Sequence, residues 1–239
     1  MLQKEETCRT EMLLGSEAME KLKHARVAVF GIGGVGGYVC EALARAGVGA
    51  IDLFDNDCIS LSNINRQIIA LHSTVGEAKV EVMKRRILDI NPDCRVVAHK
   101  VFYLPECAHL YPLSDYSYVA DAIDTVTAKV ELAVRAKAAG VPLISSMGTG
   151  NKLDPTRFAV KDIFKTAGCP LARVMRRELR ARGIDSLKVV FSDEPAAPMH
   201  GEQEPTEAGG KRPPASLPYV PSVAGLIMAG EIVKDIIGI

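Results

Sequence analysis

Two kinds of apolar patterning alternate along this chain. Arg26-Val-Ala-Val-Phe30 and Ala50-Ile-Asp-Leu-Phe54 are short runs rich in branched and aromatic side chains and read as buried strands. Between them Val35 to Ala46 has helical spacing and stops at Gly47. A second helix is predicted over Gly76 to Ile90, where Val80, Met83, Ile87 and Ile90 share one face and Asn91-Pro92 ends it. Cys94 to Val101, Tyr116 to Ala122 and Val141 to Ser145 read as further strands, and Thr127 to Ala139 as a helix. Strand, helix, strand repeated in this way predicts an α/β, Rossmann-like, mostly parallel sheet with helices on both faces.

The pattern changes after Ser146. Met147 to Lys165 reads as irregular, Pro170 to Arg182 as a basic helix, and Leu187 to Phe191 as a strand. Ser192 to Pro218 is rich in proline and charge and poor in large apolar residues, so a mobile loop is expected over 192–218. Ser222 to Ile237 is apolar and helical, with Glu231, Lys234 and Asp235 on one side. That helix is expected to pack on the sheet, with a membrane-surface or dimer contact as the other reading.

Composition narrows the class. Of 239 residues 48% are hydrophobic and 24% charged, which is ordinary for a globular chain. Lys plus Arg and Asp plus Glu both number 29, so any nucleic-acid contact must come from a local patch. No apolar run reaches the roughly 18 to 20 residues of a membrane span, and Met1 to Thr10 has no apolar stretch, so neither integral membrane association nor a signal peptide is expected. The expectation is a cytoplasmic enzyme with reduced thiols. Six cysteines include no C-x-x-C pair, so no structural zinc is expected.

Candidate chemistry begins at Gly31-Ile-Gly33-Gly34-Val-Gly36, which follows the first strand and opens a helix. Gly31 permits a tight turn, Gly33 lets backbone approach a phosphate, and Gly36 allows close helix–strand packing. The helix N-terminus offers N–H groups to an anion. Asp55, 19 residues past Gly36 at the end of the second strand, is placed to accept from ribose hydroxyls. A nicotinamide dehydrogenase would share these features. Asn63-Ile-Asn65-Arg66-Gln67 and Lys79 separate the readings, because a triphosphate needs amides and cations there and hydride transfer does not. Asp124 ends the fourth strand in Asp121-Ala-Ile-Asp124, where one carboxylate suits Mg²⁺, although it also reads as a helix cap. The chain is therefore read as one domain over 1–239: an N-terminal arm and helix over 1–25, a nucleotide-binding core over 26–146, and a substrate-side extension over 147–239.

Together with Asp55-x-Asp57, Ser62-Asn-Ile-Asn-Arg-Gln67 and Val75-Gly-x-x-Lys79, these residues resemble the adenylating domain of the ThiF/MoeB/HesA superfamily, relatives of ubiquitin-activating enzymes. The resemblance implies that ATP activates a carboxylate as an acyl-adenylate. It assigns Asp55 to ribose, Asn63, Arg66 and Lys79 to the phosphates, and Asp124 to magnesium. It also implies a homodimer in which Arg9 reaches the neighbouring ATP. Ser145 to Thr156, Lys165 to Arg173 and Tyr219 to Leu226 resemble the tRNA threonylcarbamoyladenosine dehydratase branch. The implied reaction is ligase-type: ATP-dependent closure of the threonylcarbamoyl group into a ring, beside the anticodon, with AMP and pyrophosphate released. An intramolecular nucleophile needs no thioester cysteine.

Three further features stay open on residues alone. Arg173, Arg176, Arg177 and Arg180, with Arg182, make the predicted basic helix a candidate RNA contact or, equally, an ion-paired face. Cys169 precedes Pro170 at that helix's start, where a reactive thiol serving a sulfur-transfer partner is one reading and a packed thiol the other. None of the five histidines draws a role. The competing functions are adenylation of the C-terminus of a ubiquitin-like sulfur-carrier protein, a nucleotide-sensing or RNA-binding module without turnover, and, most distantly, a dehydrogenase.

Overall fold

The buried apolar runs pair side by side as strands. In the computed structural model, which describes residues 5–200 and 214–239, β1 (Arg26–Phe30), β2 (Ala50–Phe54), β3 (Arg95–His99), β4 (Tyr118–Asp121) and β5 (Leu143–Ser146) run parallel. They lie in the order β3-β2-β1-β4-β5, with Arg26 opposite Ala50 and Phe30 opposite both Phe54 and Asp121. β6 (Phe158–Asp162) and β7 (Lys188–Ser192) extend this sheet to seven strands, β7 parallel to β5 and β6 antiparallel on the edge. β6 corrects the irregular reading of Met147 to Lys165. Its side chains are mostly half-buried on both faces, so no period-two pattern marks it, and backbone pairing with β7 holds it.

Eight helices cover the sheet among the described residues: α1 (Cys8–Leu14), α2 (Ser16–His24), α3 (Gly36–Ala46), α4 (Lys79–Ile90), α5 (Pro105–Ala108), α6 (Val126–Ala139), α7 (Pro170–Arg180) and α8 (Tyr219–Ile237). On one face Leu22, Leu43, Met83, Met228 and Ile232, from four different helices, meet Val27, Val29, Ile51 and Leu53. On the other, Leu132 of α6 and Met175 and Leu179 of α7 meet Phe30, Phe54 and Val189. Each of these large side chains, fully buried, contributes on the order of 1.5–3 kcal/mol. A further tie joins α3 to α4: Arg86 gives hydrogen bonds of 2.6 and 3.1 Å to Glu41, which Arg45 also reaches at 2.9 Å.

Two further expectations are revised and a third is extended. α4 starts at Lys79 rather than Gly76, because Gly76 has φ +92° and Ala78 stays extended, bridged to Cys58. The 192–218 stretch is not uniformly loose. Residues 201–213 lie outside the described residues, but both flanks are fastened to Asn151: Ala197 N donates to its carbonyl at 2.8 Å and Ala215 N to its Oδ1 at 2.8 Å. α8 packs on the sheet as predicted and also crosses α3 so closely that a Cβ on Gly225 would lie 2.3 Å from the Val35 carbonyl.

The Glu41 cluster yields a stability prediction. Burial pushes the Glu41 carboxyl up, but hydrogen bonds and charge from Arg86 and Arg45 outweigh it and hold the group below the ordinary glutamate range. A carboxyl lowered in the folded state adds stability above its unfolded pKa and loses it as pH falls through the folded value. Glu41→Gln is expected to cost about 1–2 kcal/mol at pH 7 and progressively less on acidification. Urea midpoints of both proteins across pH 3 to 7 check it, and a constant difference at all pH values would contradict it.

Candidate active site

The strand order reverses beside β1, which has β2 on one side and β4 on the other, so a crevice opens between their carboxyl ends. A cleft of about 520 Å³ fills it. Glycines set its floor. Gly31 sits at φ +86°, and a Cβ there would lie 2.6 Å from the Ala122 carbonyl. A Cβ on Gly36 would lie 1.8 Å from the Gly31 carbonyl, so only glycine lets α3 begin this close to β1. Gly33 and Gly34 line the open side, with Pro221 of α8 against Gly34. The N-terminal end of α3 thus faces the cleft.

Asp55 directly follows β2 and braces this loop before any ligand arrives. Its Oδ2 accepts the Ile32 N–H at 2.7 Å and its Oδ1 the Asp57 N–H at 2.8 Å. Burial raises its carboxyl above the usual aspartate value, against the opposing pull of Lys79 and those two N–H groups. Lys79, the first residue of α4, is buried and donates to Asp57 at 2.6 Å, with Asp55 3.9 Å away. Arg66 gives hydrogen bonds of 2.9 Å to the Ser62 carbonyl and to Asn65. Asn63 accepts from the Ser60 N–H at 3.1 Å, which closes the turn carrying Arg66. The buried Gln67 lines the cleft with an Oε1 that no protein group satisfies. Asp124 stands exposed opposite the glycine loop, its nearest partner the Thr125 hydroxyl at 3.4 Å.

Gly31, Gly33, Gly34, Asp55, Asn63, Arg66, Gln67, Lys79 and Asp124 therefore share one cleft, with Gly36 directly beneath it. Arg9 does not join them; it is exposed on α1 and lines no part of its own chain's cleft. Cys169 does not join them either. It is 3% exposed in the core beside α7, away from the cleft lining, so the structure gives the packed thiol rather than an accessible one. The arginines of α7 divide. Arg176 is tied to Thr166, Arg177 to Glu178, and Arg180 lies over the Phe164 ring at 5.0 Å, while Arg173 is exposed one turn from the helix start. Leu171 on that first turn packs near Gly148, next to the cleft residues Thr149 and Gly150.

Several lining residues escaped the sequence. Val101, Phe102 and Tyr103 follow β3 and carry no motif; Thr149, Gly150, Pro214 and Ser216 come from the extension and meet the cleft only in three dimensions. Lys129 and Ser145 were also missed. Lys129, fully buried, lies 2.9 Å from the buried Asp121, which accepts from Ser145 Oγ at 2.6 Å. A single lysine amid Ala128, Val130, Leu132 and Ala133 was the available signal.

The donor set suits a nucleoside triphosphate and a magnesium ion. Hard carboxylate oxygen, offered once by Asp124 at an open position, matches an ion held mainly by phosphates and water. Among the described residues no three His, Cys, Asp or Glu side chains cluster into an all-protein metal site. The same cleft brings two cations and a helix N-terminus together, a combination able to neutralise phosphate charge, with the carboxylate of Asp55 bracing the glycine loop beside them.

Comparison with known proteins agrees with this geometry. A family model described as "ThiF family" matches residues 7–239. The tRNA threonylcarbamoyladenosine dehydratase of Bacillus subtilis is 47% identical over 237 residues, covering 96% of this chain and 93% of that protein. The crystal structure of the Escherichia coli tRNA N6-threonylcarbamoyladenosine dehydratase with ATP superposes with a TM-score of 0.85 at 36% identity, over 95% of this chain and 92% of that one. A sulfur carrier protein adenylyltransferase of Thermus thermophilus is 30% identical over 95% of this chain and 74% of that protein. The chain belongs to the ThiF family, in its tRNA threonylcarbamoyladenosine dehydratase branch.

Proposed function

We propose that this protein is an ATP-dependent adenylating enzyme that dehydrates threonylcarbamoyladenosine beside the anticodon of tRNA. The observation that carries this reading is the convergence of Asp55, Arg66, Lys79 and Asp124 on one glycine-floored cleft. The fold is that of a protein solved with ATP bound, and the relative most similar in sequence reported above carries this activity in its name. A carboxylate oxygen of the threonyl group attacks the α-phosphorus of ATP, and the bond to pyrophosphate breaks. A second atom of the same modification then attacks the activated carbonyl carbon, AMP leaves, and the nucleoside has lost one water. Proximity lowers the second barrier, because nucleophile and electrophile share one modification.

This chain's residues supply charge and orientation. Asp55 accepts from ribose hydroxyls while holding the glycine loop through Ile32. Arg66 and Lys79 neutralise charge that builds on the α-phosphate and the departing pyrophosphate. Lys79 must then exchange its Asp57 partner for phosphate oxygen, so the unliganded ion pair keeps the cation in place until it is needed. Asp124 would hold Mg²⁺, which offsets phosphate charge as a Lewis acid. Arg173, exposed on the first turn of α7 while Arg176, Arg177 and Arg180 are engaged by Thr166, Glu178 and Phe164, is the α7 cation most available to meet an RNA phosphate. The exposed Arg9 supports a homodimer in which it serves the neighbouring cleft. We place the enzyme in the cytoplasm with its tRNA; no described helix is long and apolar enough to cross a membrane. Cys169, the thiol considered for a sulfur-transfer partner, is buried and lends that reading no support.

Adenylation of a carrier protein is the second reading, favoured by the Thermus relative. One assay separates the two. AMP release is measured with ATP and Mg²⁺, alone, with tRNA bearing threonylcarbamoyladenosine, and with a ubiquitin-like carrier. Release that requires the modified tRNA, with an 18-dalton loss from its nucleoside, is expected; release driven by the carrier instead would overturn the tRNA reading. Arg66→Ala and Asp124→Ala should each lower the rate by about a hundredfold or more. Asp55→Asn should weaken adenosine binding about tenfold. Adenosine binding to the wild type should also weaken on acidification before an ordinary aspartate would titrate, because burial raises the Asp55 carboxyl and only its charged form accepts twice over. Calorimetric titrations between pH 4 and 8 test this, and a flat profile would contradict it.

A further inference from the structure

Beneath Asp124 lies a charge that the reaction itself does not use. Lys129 is wholly removed from solvent on α6, a position where leucine or methionine would pack at no cost in desolvation. Its ammonium forms an ion pair with Asp121 Oδ2 at 2.9 Å and donates to the Ile123 carbonyl at 3.1 Å. Asp121, equally buried at the end of β4, also accepts from Ser145 Oγ at 2.6 Å and from the Ile123 N–H at 3.2 Å. The ammonium therefore sits between two acceptors, one on the sheet and one on the Ala122-Ile123-Asp124 turn that lines the cleft. Without a cation there, the Asp121 carboxylate and the Ile123 carbonyl would face each other unscreened in a dry environment. Ala122 itself is held by Phe30 and against Gly31, so what Lys129 sets is the course of Ile123 and Asp124 beyond it.

We propose that Lys129 is a positioning residue that fixes the turn bearing Asp124, and so sets the magnesium and triphosphate end of the cleft while leaving the nucleoside end alone. The inference rests on the reading of Asp124 given above. Lys129 touches neither substrate nor metal; it acts through Ile123 and Asp121. The nucleoside end depends on Asp55 and the glycine loop, which Lys129 does not touch.

Calorimetric titration with AMP and with ATP plus Mg²⁺ separates the two ends. Lys129→Met alone leaves a buried carboxylate unpaired and could unfold the chain, so it is compared with the charge-neutral double variant Lys129→Met/Asp121→Asn and with Lys129→Arg. The double variant is expected to bind AMP as the wild type does and to lose about tenfold or more in affinity for ATP with Mg²⁺; Lys129→Arg should restore much of that loss. Unchanged affinity for both ligands, or an equal loss for both, would overturn the positioning role. Asp124→Asn is titrated in parallel. If it leaves the affinity for ATP with Mg²⁺ intact, the reading of Asp124 is wrong and the positioning role falls with it. If it lowers that affinity and the double variant does not, only the role given to Lys129 is wrong.

Discussion

The site depends on one contact in which two backbone segments meet with no side chain between them. Gly36 sits against the Gly31 carbonyl at a distance that no Cβ could occupy. This approach lets α3 start immediately beyond β1 and aims its first turn across the crevice. Gly31 in turn sits against the Ala122 carbonyl, so the same contact sets how far the β4 turn can extend. Asp55 completes the arrangement from the other side by accepting the Ile32 N–H. Three strand ends are thereby locked to one another through close backbone contacts and the Asp55 carboxylate, and the other functional side chains hang from that frame.

Charge is arranged on the frame so that the cleft is close to balanced before a ligand enters. Lys79 is held by Asp57 and Asp55, and Arg66 by neutral acceptors on its own turn. In the proposed function a triphosphate would exchange these partners instead of creating cations in a dry pocket, which would keep the reorganisation needed for catalysis small. Burial keeps the Asp55 carboxyl raised, so the group that braces the glycine loop is held in place at some electrostatic cost, as is usual where position matters more than stability.

Much of this was legible in the sequence because it is written in consecutive residues. The glycine cluster after an apolar run, a carboxylate at the next strand end and the Asn63–Gln67 run each specify local backbone and chemistry together. The parts that were missed depend on tertiary placement. β6 has no alternation because it is an edge strand half-buried on both faces. Ser216 and Pro214 reach the cleft because Asn151 fastens the returning chain through an amide pair to Ala215, and Asn65 donates to the Ser216 carbonyl at 3.0 Å, ties that no local pattern announces. Cys169 stays open on residues alone between a reactive and a packed thiol; Pro170 begins a helix whose apolar side draws the thiol into the core. Five arginines in α7 and just beyond it looked like one surface; their partners on Thr166, Glu178 and Phe164 set Arg173 apart.

The central claim, that the nucleotide site exists because α3 starts in backbone contact with the turn after β1, is tested most directly by Gly36→Ala. Its added methyl cannot be accommodated without separating α3 from Gly31. AMP binding by calorimetry, with circular dichroism to monitor the fold, is the measurement. The account predicts a folded protein whose AMP affinity has fallen by about a hundredfold, the order of 2–3 kcal/mol. A folded variant that binds AMP as tightly as the wild type would contradict it.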